Sequence, residues 1–156
     1  MADFENKLRS LIDQHLHENR NSWVLKAKKE GKVIIGYTDT LVPKEIIHAA
    51  GMFPYRIIGT YDAGTPLAEA WRPPQMCQYI QHTVESLLRG ELDILDGIVH
   101  SDWDDDARRF YDLCVHLHKP VFNLFLHMPH GEGPLSYKYF SEDIKRTIKG
   151  DRKSVV

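Results

Sequence analysis

Val33-Ile34-Ile35-Gly36-Tyr37 is a short, β-branched, continuously apolar run. It lies between the polar, basic stretch Lys26-Ala27-Lys28-Lys29-Glu30-Gly31-Lys32 and the helix-opening Pro43. A strand with one wet face alternates polar and apolar residues. A run without alternation predicts a strand covered on both sides, as in parallel sheets. Downstream, Pro43 suits the start of a helix, where its missing N–H costs nothing, and Gly51 suits the position just past the end. Val42, Ile46, Ala49 and Ala50 are expected to share that helix's buried face. Pro54-Tyr55-Arg56-Ile57-Ile58-Gly59 predicts a second strand, and residues 60–75 a long loop.

The pattern then repeats. Met76, Ile80, Val84, Leu87 and Leu88 mark a helix stopped by Gly90, and Gly97-Ile98-Val99-His100 predicts a third strand. The acidic run from Asp102 to Asp106 supplies an N-cap and a first turn favoured by the helix dipole. Ala107, Phe110, Tyr111, Cys114 and Leu117 form the buried stripe of the next helix, which ends before Pro120. Residues 121–126 predict a fourth strand. After the loop Met128-Pro129-His130-Gly131-Glu132-Gly133-Pro134 a last helix runs from Ser136 to about Lys149.

Upstream, Phe4, Leu8, Leu11, Ile12 and Leu16 stand at helical spacing and predict an amphipathic helix, while residues 26–32 read as a solvated connection with a turn at Gly31. Strands separated by helices of this length imply right-handed βαβ crossovers. The fold expected is α/β: a doubly wound, mainly parallel, Rossmann-like sheet of about four strands with flanking helices. Residues 1–30 form an N-terminal helix and connection, 31–149 the α/β domain, and 150–156 a tail that is a candidate non-native extension.

The 156 residues are 42% hydrophobic and 27% charged, the make-up of one globular domain rather than of a disordered, collagenous or coiled-coil chain. Twenty Lys+Arg against 22 Asp+Glu give a net charge of -2, leaving no basic excess for nucleic acid. No apolar stretch is long enough to span a membrane, and the first residues lack the apolar core of a signal peptide. Two cysteines, Cys77 and Cys114, are too few for a disulfide framework and fit a reducing cytoplasm.

In doubly wound sheets ligands sit beyond the carboxyl ends of the strands. Here those ends are residues 37–42, 59–77, 100–105 and 127–133. Cys77, at the first turn of a helix, is favoured there as a thiolate. The residue type alone leaves open a nucleophile, a redox group, a soft-metal ligand or a small half-buried filler. Cys114 falls on an apolar stripe and reads as core. The spacing of Asp102, Asp104, Asp105 and Asp106 suits capping better than a Mg²⁺ site. His116 and His118 point apart on their helix, and His127 and His130 alone leave a zinc site short of ligands. Dinucleotide and P-loop glycine motifs are absent.

Several segments in order carry a family resemblance. Gly36-Tyr37, then Val42-Pro43-Lys44-Glu45-Ile46-Ile47-His48-Ala49-Ala50-Gly51-Met52-Phe53-Pro54-Tyr55-Arg56, resembles the opening motif of the benzoyl-CoA reductase/2-hydroxyacyl-CoA dehydratase family. Gly90-Glu91-Leu92-Asp93-Ile94-Leu95-Asp96-Gly97-Ile98-Val99 is similar to its signature before the third strand. Arg109-Phe110-Tyr111-Asp112-Leu113 and Leu126-His127-Met128-Pro129-His130 match in register. The likeness covers roughly residues 31–130, the N-terminal domain of a family whose members are more than twice as long. Tyr37-Thr38-Asp39-Thr40 and the Asp-rich third loop look more like the reductase branch.

The resemblance implies a role in an oxygen-sensitive enzyme acting on an acyl-CoA thioester through a ketyl radical. It implies [4Fe–4S] clusters, a homologous second subunit, and an ATP-dependent iron–sulfur activator protein that delivers electrons. Cys77 falls on the family's first cluster cysteine. Asp104 stands where the second is usual, a departure that replaces a soft ligand by a hard one. Glu45, in the first turn past the first strand, is the candidate catalytic acid–base residue, with a dipole-favoured surface glutamate as the alternative. Made alone, the chain is expected to be inactive, to bind no cluster and to leave Cys77 a reactive thiol. The alternative expectation is a stand-alone, non-catalytic domain binding a partner or a CoA-like ligand.

Overall fold

The uniformly apolar run forms a strand buried at all four of its positions, Ile34–Tyr37. The computed structural model describes residues 2–16, 21–59, 64–71, 76–120, 122–129 and 131–149. Its elements in chain order are α1 (Ala2–Leu16), α2 (Ser22–Lys29), β1 (Ile34–Tyr37), α3 (Lys44–Ala49), β2 (Phe53–Arg56), α4 (Pro66–Trp71), α5 (Gln78–Leu88), β3 (Gly97–Ser101), α6 (Asp105–Leu117), β4 (Phe122–Leu126) and α7 (Pro134–Ile148). The strands make one sheet in the order β2-β1-β3-β4, every pairing parallel.

Alternate residues of the central strands feed two cores, as a doubly wound sheet requires. On one face Ile34, Tyr55, Ile57 and Ile98 pack with Val24 of α2, Ile80 and Val84 of α5, and Phe110 of α6. On the other, Ile35, Tyr37 and Val99 pack with Ile47 of α3 and with Phe140 and Ile144 of α7. Gly36 is what lets β1 lie so close to its cover. A Cβ there would stand 2.7 Å from Leu95 Cδ1 and 3.0 Å from Ile57 Cδ1.

Three local expectations are corrected. Much of the basic stretch read as a solvated connection belongs to α2, which continues to Lys29; the turn at Gly31 (φ +75°) stands. The Asn21 carboxamide caps this helix, its Oδ1 accepting Trp23 N and Val24 N at 3.1 Å each. Only Val24 and Ala27, one turn apart, are buried in it, and the exposed Trp23 and Leu25 beside them blur the helical pattern. Inside the expected loop 60–75 lies α4, whose leading amides, Leu67 N and Ala68 N, donate to the buried Glu85 Oε2 at 2.9 Å. In α3 the buried residue is Ile47 rather than Ile46, Ala49 or Ala50. Val42 precedes the helix and is joined through Pro43, so it does not set the helical phase.

The amphipathic α1 forms, with Phe4, Leu8 and Leu11 exposed. Val121 at the start of the fourth strand, the side chains of Ile12 and Leu16, Pro73-Pro74-Gln75, His130 and the tail 150–156 lie outside the described residues. Among the described residues no helix is long and apolar enough to cross a membrane.

Candidate functional site

With this strand order the direction of winding reverses between β1 and β3, so their carboxyl ends border the crevice where such sheets take ligands. A polar pair follows each apolar run there: Thr38-Asp39 after β1, and Ser101-Asp102 closing β3. All four side chains are buried. Asp39 spans the reversal point. Its Oδ2 accepts a short hydrogen bond from the Ser101 hydroxyl and a longer one, 3.4 Å, from Thr38 Oγ1, while Oδ1 accepts Leu41 N at 2.8 Å. Tyr79, in the first turn of α5, places its hydroxyl 2.6 Å from Ile57 O and 2.8 Å from Thr38 O, tying the ends of β1 and β2 to that helix.

The neighbouring carboxylate organises the loop after β4. Asp102 Oδ1 accepts Met128 N at 2.6 Å, and Asp143 Oδ2, from α7, accepts His127 N at 2.9 Å. Asp102 Oδ2 also faces His127 Nδ1 at 3.4 Å and Arg108 Nη2 at 3.5 Å. The His127 side chain, 49% exposed, packs edge-on against Phe125 with ring centroids 5.0 Å apart. It is therefore a half-exposed polar ring held in place by its backbone, a carboxylate and an aromatic.

One residue before Ser101, His100 points into the sheet's covered face between Phe110 and Tyr111, each 5.2 Å away between ring centroids. Its Nε2 lies 3.0 Å from Asn123 Oδ1. Burial holds its pKa down at about 4, the Asn123 contact opposing this only in part.

The residues singled out from sequence take these places. Cys77 is the N-cap of α5, half-buried, with no side-chain capping bond; its N–H donates to Asp106 Oδ2 at 2.7 Å. Asp104 is the N-cap of α6, Oδ1 accepting Ala107 N at 2.6 Å. Burial raises the Asp104 pKa, the Ala107 hydrogen bond opposes the rise, and the Asp106 and Asp105 carboxylates add to it. Cys77 and the α6 entry are thus brought together. Glu45 lies exposed in the first turn of α3, which covers the opposite face of the sheet. Cys114 is fully buried in the core.

Ser101 and Tyr79 are the crevice residues that motif reading passed over, while Asp39 and His127 entered it only within family motifs and as part of a zinc site short of ligands. For Ser101 a signal was available, a polar residue directly after an apolar strand run, whereas Tyr79 sits in a helix start and carried none.

A [4Fe–4S] cluster takes about four ligands, mostly thiolates. The chain has two cysteines, of which Cys114 is sealed in the core, and the Asp104 carboxylate is engaged as a helix cap. No group of three or more His, Cys, Asp or Glu among the described residues is arranged to hold a metal ion. The donor set does not fit a cluster.

Comparison with known proteins bears on the same region. Residues 39–150 match the family model described as 2-hydroxyglutaryl-CoA dehydratase, D-component. The chain is 28% identical over 145 residues to (R)-2-hydroxyglutaryl-CoA dehydratase, subunit beta, of Acidaminococcus fermentans, covering 91% of this chain and 38% of that protein. It is 32% identical over 94 residues to the (R)-phenyllactyl-CoA dehydratase beta subunit of Clostridium sporogenes, covering 58% and 24%. To a benzoyl-CoA reductase subunit of Thauera aromatica it is 36% identical over 67 residues, covering 42% and 17%. The chain thus spans between 17% and 38% of the length of these relatives.

Proposed function

This chain belongs to the 2-hydroxyglutaryl-CoA dehydratase D-component family, and on that basis we propose that it is the α/β domain of a subunit in an anaerobic acyl-CoA-processing enzyme, of dehydratase or benzoyl-CoA reductase type. One observation carries the reading. The family match starts at Asp39, the residue that bridges β1 and β3, and runs through every later strand end to α7. The domain's part is to receive and orient a CoA thioester at the carboxyl end of the sheet. Thr38, Asp39 and Ser101 form a rigid polar floor there, and His127 offers a fixed hydrogen-bonding edge above it.

The partners this reading implies are a homologous second subunit and a separate ATP-dependent activator. The donor set of these 156 residues does not suit an electron-carrying cluster, so that chemistry is assigned outside this domain. The chain by itself is then inactive in turnover.

The solitary half-buried thiol also favours a second reading, a non-catalytic domain that binds a partner or a CoA-like ligand. Calorimetric titration of the chain with benzoyl-CoA, (R)-2-hydroxyglutaryl-CoA and free CoA separates the two. A thioester binding at least about tenfold more tightly than CoA supports acyl-CoA processing. Equal binding of all three supports the CoA-like reading, and no binding to any contradicts both thioester and CoA recognition, leaving the partner-binding form of the second reading.

A further inference from the structure

The entries to α5 and α6 leave the carboxyl end of the sheet side by side, and aspartates of one acidic run close both. Asp104 caps its own helix through Ala107 N, 2.6 Å away. Asp106, two residues on, reaches across to the neighbouring helix and accepts the N–H of its N-cap residue, Cys77, at 2.7 Å. We propose that this aspartate clasp stands in place of an iron–sulfur cluster in this chain. It joins the N-cap of α5 to the first turn of α6 through the Asp106–Cys77 hydrogen bond and leaves Cys77 a thiol that ligates no cluster.

Three features support the clasp. A thiolate-bound cluster is anionic and gains from the positive ends of nearby helices. Here carboxylates already occupy those ends, and Asp104, Asp105 and Asp106 set negative charge against any anion placed between them. The Asp104 Oδ1 is already committed to Ala107 N as the helix cap, which leaves a single hard oxygen where a cluster takes a thiolate. The second cysteine cannot substitute, since Cys114 lies fully buried on the core side of α6. The inference does not depend on which thioester the subunit takes, and its readouts are metal content and helix stability rather than turnover.

The test uses the 156-residue chain, incubated without oxygen with ferrous iron, sulfide and dithiothreitol, then desalted. Iron, acid-labile sulfide and visible absorption are measured, together with the melting temperatures of wild type, Cys77→Ser, Asp106→Ala and Asp106→Asn. The clasp predicts no stoichiometric iron or sulfide and a Cys77→Ser variant that melts with wild type. Asp106→Ala should melt about 2–4 °C lower, with the Cys77 amide exchanging at least about tenfold faster. Asp106→Asn, which keeps an acceptor, should lose less. Two results overturn the proposal: about four iron and four sulfide per chain that Cys77→Ser abolishes, or Asp106→Ala indistinguishable from wild type in melting and in exchange at Cys77.

Discussion

At the scale of single residues, the carboxyl end of the sheet is held by buried polar groups that are paired, whereas His100 is buried with only one ring nitrogen partnered. Its Nδ1 has no hydrogen-bond partner among the described residues. Its pKa of about 4 lies below the value of 6.5 expected in an unfolded chain. The folded state therefore binds fewer protons than the unfolded state between these limits. Stability attached to His100 is complete above about pH 6.5 and is lost as the pH falls toward 4, by on the order of 3 kcal/mol in all. Urea unfolding of wild type and of His100→Gln from pH 7.5 to 4.5 measures it. The wild-type midpoint should fall steeply below about pH 6.5, and the variant's should fall less. Parallel profiles would mean that His100 does not govern acid sensitivity.

At the scale of elements, two residues decide whether neighbouring pieces fit. Gly36→Ala places a methyl 2.7 Å from Leu95 Cδ1 and 3.0 Å from Ile57 Cδ1. Chemical denaturation should show a loss of about 1–3 kcal/mol, the usual cost of overpacking a closed core. Glu85 is fully buried, takes the Leu67 and Ala68 amides on Oε2, and pairs Oε1 with Arg89 Nε at 2.8 Å. Glu85→Ala leaves the start of α4 without those acceptors, at a cost of about 3 kcal/mol or more. Amide exchange at Leu67 and Ala68 should rise before exchange elsewhere in the domain. Unchanged exchange there would show that α4 is held by packing on Ala68 alone.

The same elements show what was legible in the sequence. Strands β1 and β3 were, because the apolar runs Ile34-Ile35 and Ile98-Val99 read as buried on both faces, whereas β2, expected over 54–59, lies at Phe53–Arg56. The caps at Asp104, Gly51 and Gly90 were legible too, being local chemistry. Helices α2 and α4 were not. Each shows few buried apolar residues, and α4 takes its N-terminal acceptor from Glu85, 18 residues beyond Leu67 in sequence. The crevice was legible as a place and not as a set of partners. Asp39 meets Ser101 across 62 residues, and Asp102 meets Met128 across 26, pairings that only the parallel register creates.

At the scale of the whole molecule, parallel winding places every β-to-α connection at one end, so that end collects the buried Asp39 and Asp102 and the half-exposed His127. The family match covers the same connections, from Asp39 onward. This is the end of the sheet that should receive the CoA thioester. A map of backbone amide shifts, recorded on adding benzoyl-CoA or (R)-2-hydroxyglutaryl-CoA to the labelled chain, reads out its location residue by residue. Shifts should concentrate at Leu41, Ser101, Asp102, His127 and Met128, with Phe53, Gly97 and Phe122 at the opposite end unmoved. Shifts confined to Phe53, Gly97 and Phe122, or none at saturating thioester, would contradict thioester binding at the carboxyl end.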